Sequence, residues 1–176
     1  MVGSSCSGKT TFAKRLAAVL DVSRVEIDAL NWEPNWTMAA PHVLRERVDA
    51  ATAGTAWVVD GSYGAVRDIV WSRADTVVWL DPPLWRILPR LLARTVRRIH
   101  TGEELWNGNR ETFRGAFLSR DSLFIWVLKT QRQRARLYLG ELARPEFAHL
   151  TVHRFRDGSD AERWLEAQRT LAAPRI

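Results

Sequence analysis

The opening residues hold the pattern best suited to phosphate chemistry. The run Gly3-Ser4-Ser5-Cys6-Ser7-Gly8-Lys9-Thr10 has two glycines separated by four residues, and Lys-Thr follows the second at once. In a phosphate-binding loop of this spacing, backbone N–H groups cradle the phosphates, Lys9 reaches the β and γ oxygens, and Thr10 helps to hold Mg²⁺. Apolar residues from Thr11 to Leu20 share one helical face, so a helix N-terminus would point at the anion. A ligand-free Gly/Ser-rich turn is the alternative, but such a turn does not require Lys-Thr beside its second glycine.

The segment before this loop is unusually short. A phosphate-binding loop normally follows a buried strand of several apolar residues, whereas only Met1 and Val2 precede Gly3. We therefore expect a truncated first strand. Two explanations stay open: the true start lies upstream of Met1, or the chain lacks this strand and loses stability as a result.

Length and composition limit the class of protein. With 176 residues, of which 46% are hydrophobic, the chain is expected to form one domain over residues 1–176. The single cysteine, Cys6, excludes an intramolecular disulfide framework and a cysteine-based zinc cluster. No apolar run approaches the length of a membrane span, and no signal peptide precedes the loop. We expect a cytoplasmic monomer or dimer with no membrane partner.

The chain is basic, with a formal net charge of +6 at pH 7. Much of the excess positive charge lies between Arg86 and Arg136, and this distribution allows two interpretations. One is an arginine cluster that closes over a bound nucleotide; the other is a surface that binds nucleic acid. The second would make the protein an ATP-dependent regulator of nucleic acid, with Arg132, Arg134 and Arg136 as candidate contacts. No known nucleic-acid-binding motif supports it, so we favour the first.

Strands and helices alternate along the chain, which favours a parallel sheet with helices on both faces. The predicted strands after the loop are residues 24–28, 56–60, 75–81 and 150–155. Three of them end in a carboxylate, at Asp28, Asp60 and Asp81. Ligands bind at the carboxyl ends of parallel strands, so Asp28 and Asp60 are candidate functional residues. Asp81 is followed by two prolines and is better interpreted as a turn residue.

Two long predicted helices, at about 84–100 and 122–141, flank a loop that is rich in glycine and asparagine. Arg94 and Arg98 lie four residues apart and face the same side of the first helix. Arg110, Arg114 and Arg120 follow in or near the loop. Such a loop could close over phosphates as a lid and supply positive charge to the transferring group. A solvated basic helix face is an equally acceptable interpretation of these arginines.

Several of these stretches together resemble the adenylate-kinase-like P-loop kinases, most closely the DNA topology modulation (FlaR-like) group. The resemblance spans nearly the whole chain and is carried by the phosphate-binding loop and by four further stretches: Ile27-Asp28-Ala29-Leu30-Asn31-Trp32 with Pro34-Asn35-Trp36, Val59-Asp60-Gly61-Ser62-Tyr63, residues 76–81 and Leu105-Trp106-Asn107-Gly108-Asn109-Arg110-Glu111. It implies a three-layer α/β/α P-loop fold with a five-stranded parallel sheet in the order 2-3-1-4-5. It also implies a mobile helical lid at about residues 99–120.

The resemblance also implies roles for individual residues. Asp28 and Trp32 fall where related kinases hold the phosphate acceptor, and Asp60-Gly61 falls where nucleoside monophosphate kinases reach Mg²⁺ through water. Arg94 and Arg98 fall where those enzymes have adenine-stacking and phosphate-binding arginines. The chain departs from adenylate kinases after Asp60-Gly61, because Ser62-Tyr63-Gly64 replaces their Phe-Pro-Arg. AMP is therefore not the expected acceptor.

The sequence thus predicts an ATP- and Mg²⁺-dependent kinase that phosphorylates a small molecule. The expected catalytic residues are Lys9, Asp28, Arg98 and Arg110, and the expected metal-binding residues are Thr10 and Asp60. The nucleotide would bind to Gly3, Ser4, Ser5, Cys6, Ser7, Gly8, Lys9, Thr10, Thr11 and Arg94. The acceptor would bind to Asp28, Trp32, Asp60, Gly61 and Tyr63.

Overall fold

The computed structural model describes residues 1–118 and 123–172, and the fold is α/β. The strands are β1 (Val2–Gly3), β2 (Ser23–Glu26), β3 (Trp32–Glu33), β4 (Thr37–Met38), β5 (Trp57–Asp60), β6 (Thr76–Leu80) and β7 (Thr151–Phe155). The helices are α1 (Lys9–Leu20), α2 (Ile27–Asn31), α3 (Pro41–Ala51), α4 (Arg67–Arg73), α5 (Leu84–Thr101), α6 (Leu123–Leu142) and α7 (Gly158–Ala172). The end of the predicted lid, including Arg120, lies outside the described residues.

The strands form three small sheets, so the prediction of one five-stranded parallel sheet in the order 2-3-1-4-5 is wrong. Within the described ranges, β1, β6 and β7 make a three-stranded parallel sheet in the order β1-β6-β7. Strands β2 and β5 make a separate parallel pair, and β3 and β4 make a short antiparallel hairpin.

The physical reason lies in β1, which has only two residues. The Met1 nitrogen donates to the Val59 carbonyl oxygen at 2.7 Å, and the Gly61 N–H donates to the Met1 carbonyl oxygen at 3.4 Å. These two bonds hold β1 beside β5 but do not extend into a ladder between the two strands. Strand β1 therefore lies between β5 and β6, and the loop that follows it emerges between the two parallel sheets.

The side chains of β5 and β6 alternate between two hydrophobic cores, as expected for parallel strands that are covered on both sides. Val59 and Trp79 belong to a cluster that includes residues of α3, α4 and α6. Val58, Val78 and Leu80 belong to another, which includes residues of α1 and α7. The long apolar runs of β5 and β6 explain why these strands are buried, and their burial fixes the ends from which the site residues project.

Helices α5 and α6 make a smaller third cluster through Ile87, Leu91 and Val127. Helix α5 is continuous through Pro89, although proline inside a helix usually breaks or kinks it. Among the helices that the structure describes, none combines the length and the apolar character needed to cross a bilayer.

Candidate functional site

The loop Gly3–Thr10, here called the glycine loop, joins β1 to α1. Gly3 has a φ of 143°, and a β-carbon at this position would lie 2.3 Å from the Leu80 carbonyl oxygen. Gly8 precedes α1 with a φ of 99°, and no side chain caps the helix there. The N–H groups of the first turn of α1 are therefore left for a ligand, and the loop has the backbone shape of an anion-binding site.

Lys9 folds back across the glycine loop. Its Nζ atom donates a hydrogen bond to the Ser4 carbonyl oxygen at 2.7 Å. Burial lowers the pKa of Lys9 to about 8, although the carboxylates of Asp60 and Asp28 oppose the decrease. A phosphate group that binds here would meet an ammonium group already held at the loop.

A cavity of about 640 Å³ opens at the glycine loop. Loop residues from Ser5 to Thr10 line it together with Thr11, whereas Gly3 and Ser4 do not. Its charged wall residues, in chain order, are Lys9, Arg15, Glu26, Asp28, Asp60, Arg86, Arg90, Arg94, Arg98, Arg156, Asp157 and Glu162. Trp106, from the predicted lid, also reaches the wall. The cavity thus brings together Lys9, Thr10, Asp28, Asp60, Arg94 and Arg98, as the sequence predicts.

The carboxylate side of the cavity comes from the ends of β2 and β5. Glu26 and Asp60 are partners in the strand register, and Arg24 lies between their side chains. Its Nη2 atom is 2.7 Å from Glu26 Oε2, and its Nη1 atom is 3.4 Å from Asp60 Oδ2. Asp60 is buried, with 4% of its surface exposed. These two carboxylates are thus fixed in position by one shared arginine.

Asp28 lies in α2, directly after β2. The Tyr63 hydroxyl donates a hydrogen bond to Asp28 Oδ1 at 2.5 Å. Burial raises the pKa of the Asp28 carboxyl, and the hydrogen bond from Tyr63 opposes part of that rise. A carboxylate with a raised pKa and a fixed orientation is suited to accept a proton from a bound hydroxyl group.

The opposite side of the cavity carries a row of arginines on α5. Arg86, Arg90, Arg94 and Arg98 are each four residues apart and therefore lie along one face of the helix. Arg86 pairs with Asp157 at 2.7 Å, and Arg98 pairs with Glu111 at 2.8 Å. Within residues 1–118 and 123–172, neither Arg90 nor Arg94 forms an ion pair, and the buried Nε of Arg94 has no hydrogen-bond partner. These two guanidinium groups can therefore receive an anion.

Besides Gly3 and Ser4, four of the predicted site residues do not line this cavity. Tyr63 reaches the site only through its bond to Asp28. Gly61, with a φ of 121°, packs against Ile27, where a β-carbon would come within 3.2 Å. The ring of Trp32 packs edge-on against Trp36 at 5.3 Å. Arg110 is exposed, and its guanidinium is 3.5 Å from Glu104.

The stretch Glu104–Arg110 is fastened to the hairpin Trp32–Met38 by two asparagines, an arrangement here called the asparagine clasp. Asn109 is buried and accepts a bond from the Trp36 N–H at 2.7 Å. It also donates to the carbonyl oxygens of Glu33 at 2.9 Å and of Trp106 at 2.8 Å. Asn107 donates to the Trp32 carbonyl oxygen. The clasp therefore holds Trp106 in the cavity wall and joins it to the segment that follows Asp28.

We expect Asn109→Ala to lower the free energy of unfolding by about 2–3 kcal/mol, because it removes a buried side chain and leaves partly buried backbone groups of Trp36 and Glu33 without partners. Urea denaturation followed by tryptophan fluorescence would measure the loss. Asn107→Gly is the matched control: the side chain is exposed, and glycine tolerates the φ of 54° at this position. The control should cost less than about 1 kcal/mol, and equal losses in the two variants would contradict the assigned role of Asn109.

The clasp and Arg134 are features that the sequence interpretation missed. Asn107 and Asn109 appear in the sequence only as loop-forming residues, and no spacing rule links them to a hairpin about 75 residues earlier.

Arg134 is half-buried in α6, where its charge acts on Lys9 and Asp28, and burial lowers the pKa of its guanidinium. Arg136 is exposed, and the Arg132 side chain lies outside the described residues. A nucleic-acid surface made by these arginines stays a prediction.

The chain was compared with protein-family models, with curated proteins and with solved structures. No family model, no curated protein and no solved structure matches it. The resemblance to adenylate-kinase-like proteins therefore stays a prediction, and the function is inferred below from the geometry of the site alone.

Proposed function

We propose that this chain binds the triphosphate of ATP at the glycine loop and transfers the γ-phosphoryl group to a small acceptor beside Asp28. One observation carries the proposal: a single cavity has Lys9 and the open N-terminus of α1 between a row of arginines and a group of carboxylates. Phosphoryl transfer needs positioned phosphates, neutralised charge and an oriented nucleophile. The three parts of this cavity supply those three requirements.

The phosphate donor would lie on the glycine loop and along α5. Backbone N–H groups at the start of α1 would bind the phosphate oxygens, and the Lys9 ammonium would turn from the Ser4 carbonyl oxygen to the β and γ phosphates. Arg90 and Arg94 line the same cavity and would neutralise further negative charge. These contacts fix the reacting phosphorus atom relative to the acceptor.

The residues at the cavity wall fit a magnesium ion. Mg²⁺ prefers oxygen ligands and usually keeps several waters while it binds one or two protein groups and the substrate phosphates. The Thr10 hydroxyl and the Asp60 carboxylate are such oxygens, and both line the cavity. Arg24, whose Nη1 atom lies 3.4 Å from Asp60 Oδ2, would keep this carboxylate in position for the ion. When bound, the ion would reduce the negative charge on the phosphates during transfer.

The transfer step would proceed in line. The acceptor oxygen forms a bond to the γ phosphorus as the bond between that phosphorus and the β–γ bridging oxygen breaks. The bonding electron pair stays on that oxygen, which leaves as part of ADP, and the acceptor proton passes to the Asp28 carboxylate. Tyr63 holds this carboxylate in place through its hydroxyl group. Asp28 is thus the proposed proton acceptor, and Lys9 and the α5 arginines stabilise the transferring charge.

The proposal predicts that Lys9 controls both the affinity for ATP and its pH dependence. Phosphate oxygens favour the ammonium form, so the pKa of Lys9 rises on binding above its free-protein value of about 8. Affinity is therefore full below that pH and falls as the pH increases above it. We expect Lys9→Ala to weaken ATP–Mg²⁺ binding by roughly 10- to 100-fold at neutral pH and to remove the alkaline decrease.

Isothermal titration calorimetry at a series of pH values, with phosphate transfer measured on the same samples, provides the test. Lys14→Ala is the matched control, because Lys14 is an exposed residue of α1 that does not line the cavity. Its affinity and pH profile should equal those of the wild type. The proposal fails if the wild-type chain does not bind ATP–Mg²⁺, or if Lys9→Ala binds it as tightly as Lys14→Ala does.

A further inference from the structure

We infer that the acceptor is an uncharged or cationic molecule with a hydroxyl or amine group, and that it carries no phosphate of its own. The inference rests on the proposed function, because it concerns the second substrate of the same cavity. It follows from how charge is divided between the two sides of the glycine loop.

The two sides of the loop are set by the strands. Strand β1 is bonded to β6 on one side and held by β5 on the other, so the glycine loop emerges between them. Acidic wall residues follow the β2–β5 pair, at Glu26, Asp28 and Asp60. The arginine row of α5 follows β6, on the opposite side. The other two acidic wall residues, Asp157 and Glu162, are paired with Arg86 and Arg15. A triphosphate on the loop would therefore have the arginine row on one side and Glu26, Asp28 and Asp60 on the other.

Among the described residues, the carboxylate side of the wall offers no cation for a second phosphate. Arg24 is held by Glu26 and Asp60, and its side chain is not part of the wall. The next two arginines along the chain are also paired: Arg45 with Asp68 at 2.7 Å, and Arg47 with Glu33 at 2.7 Å. Arg47 also donates to the Leu30 carbonyl oxygen at 2.8 Å. An anionic acceptor would have to displace one of these pairs. It would also face the carboxylates and the donor's own γ phosphate.

Arg134 is one further cation that interacts with residues on the carboxylate side of the cavity. Its charge interacts with those of Tyr63 and Asp28, but Arg134 is absent from the described residues that line the cavity. An acceptor amine or hydroxyl group would instead meet carboxylate oxygens directly, which accept hydrogen bonds from such groups.

The test compares matched acceptors that differ only by a phosphate group. The pairs are adenosine and AMP, glucosamine and glucosamine 6-phosphate, and ethanolamine and phosphoethanolamine, each incubated with the full chain and radiolabelled ATP–Mg²⁺. We expect kcat/KM to be about 100-fold higher for the unphosphorylated member of any pair that is used, because like charges opposed in a site strongly reduce binding. Glu26→Gln should lower this ratio of kcat/KM values by at least about threefold, since it removes one of the carboxylate charges that repel the phosphorylated acceptor.

Each other outcome overturns the inference. A preference for the phosphorylated member, lost in Arg134→Leu, would show that Arg134 binds an anionic acceptor. A ratio near one, or a ratio unchanged by Glu26→Gln, would show that the carboxylates do not select the acceptor. The inference is also overturned if no member of any pair is phosphorylated although calorimetry still detects ATP binding. If the wild-type chain does not bind ATP at all, the proposed function itself fails.

Discussion

Replacing Asp28 with asparagine is expected to reduce phosphate transfer by about 1,000-fold while ATP binding is retained, because positioned proton transfer contributes effects of this size. The amide keeps the shape of the side chain and can still accept the bond from Tyr63, but it cannot take up the acceptor proton. The measurement is single-turnover transfer from radiolabelled ATP to the best acceptor found for the wild type. Calorimetry on the same protein reports the affinity for ATP.

Tyr63→Phe separates the role of Asp28 in proton transfer from its role in packing. Because the Tyr63 hydroxyl lowers the pKa of Asp28, its removal raises that pKa. Transfer requires the ionised carboxylate and is lost as the pH falls through its pKa. The acidic limb of the rate profile should therefore move to higher pH in Tyr63→Phe.

Two results would contradict the proposed role of Asp28. One is an Asp28→Asn variant that transfers phosphate at the wild-type rate. The other is an acidic limb that stays at the same pH in Tyr63→Phe, because the titrating group would then be a different residue.

Gly3→Ala is expected to destabilise the fold by about 3 kcal/mol or more, since it combines a strained backbone with a steric clash. The φ of 143° is one that residues with a side chain rarely adopt. The new β-carbon would lie 2.3 Å from the Leu80 carbonyl oxygen, which belongs to the paired strand β6 and has little room to move. Thermal unfolding should show a decrease of about 6–12 °C in Tm for a chain of this length.

Gly54→Ala is the matched control for this substitution. A β-carbon at Gly54 would meet no atom within 4 Å, and the residue is exposed between α3 and β5. Its stability should change by less than about 0.5 kcal/mol. Similar unfolding temperatures for the two variants would contradict the close approach of Gly3 to β6.

The parts of the site that depend on local spacing could be predicted from the sequence. The glycine loop and the start of α1 are contiguous, so the two glycines and Lys-Thr are sufficient to indicate their arrangement. Arg94 and Arg98 share a helix face because they are four residues apart, and the same rule extends the row to Arg86 and Arg90. Asp28 and Asp60 could be predicted as neighbours in the site because each ends a predicted strand, and parallel strands bring their carboxyl ends to one edge of a sheet.

The parts that depend on pairing between distant segments could not be predicted in this way. The short first strand was expected, and β1 has two residues, but the sheet prediction was still wrong because β1 makes two hydrogen bonds with the β5 side and no ladder. Arg110 was expected at the reacting phosphate, but its guanidinium lies beside Glu104, in the loop that the clasp holds against the hairpin. Burial of Arg134 depends on how α6 packs, and the sequence shows only one arginine among several.

The asparagine clasp makes one backbone amide a reporter for the whole loop. The Trp36 N–H is bonded to a side chain from a segment about 73 residues later rather than to its own hairpin. In hydrogen–deuterium exchange this proton can be replaced by deuterium only when the clasp opens, so its exchange rate measures the free energy of that opening. Because Asn109 also binds the Trp106 carbonyl oxygen, the same event frees Trp106 from the cavity wall. The amide of a residue that lines no part of the cavity thus records how often the cavity opens.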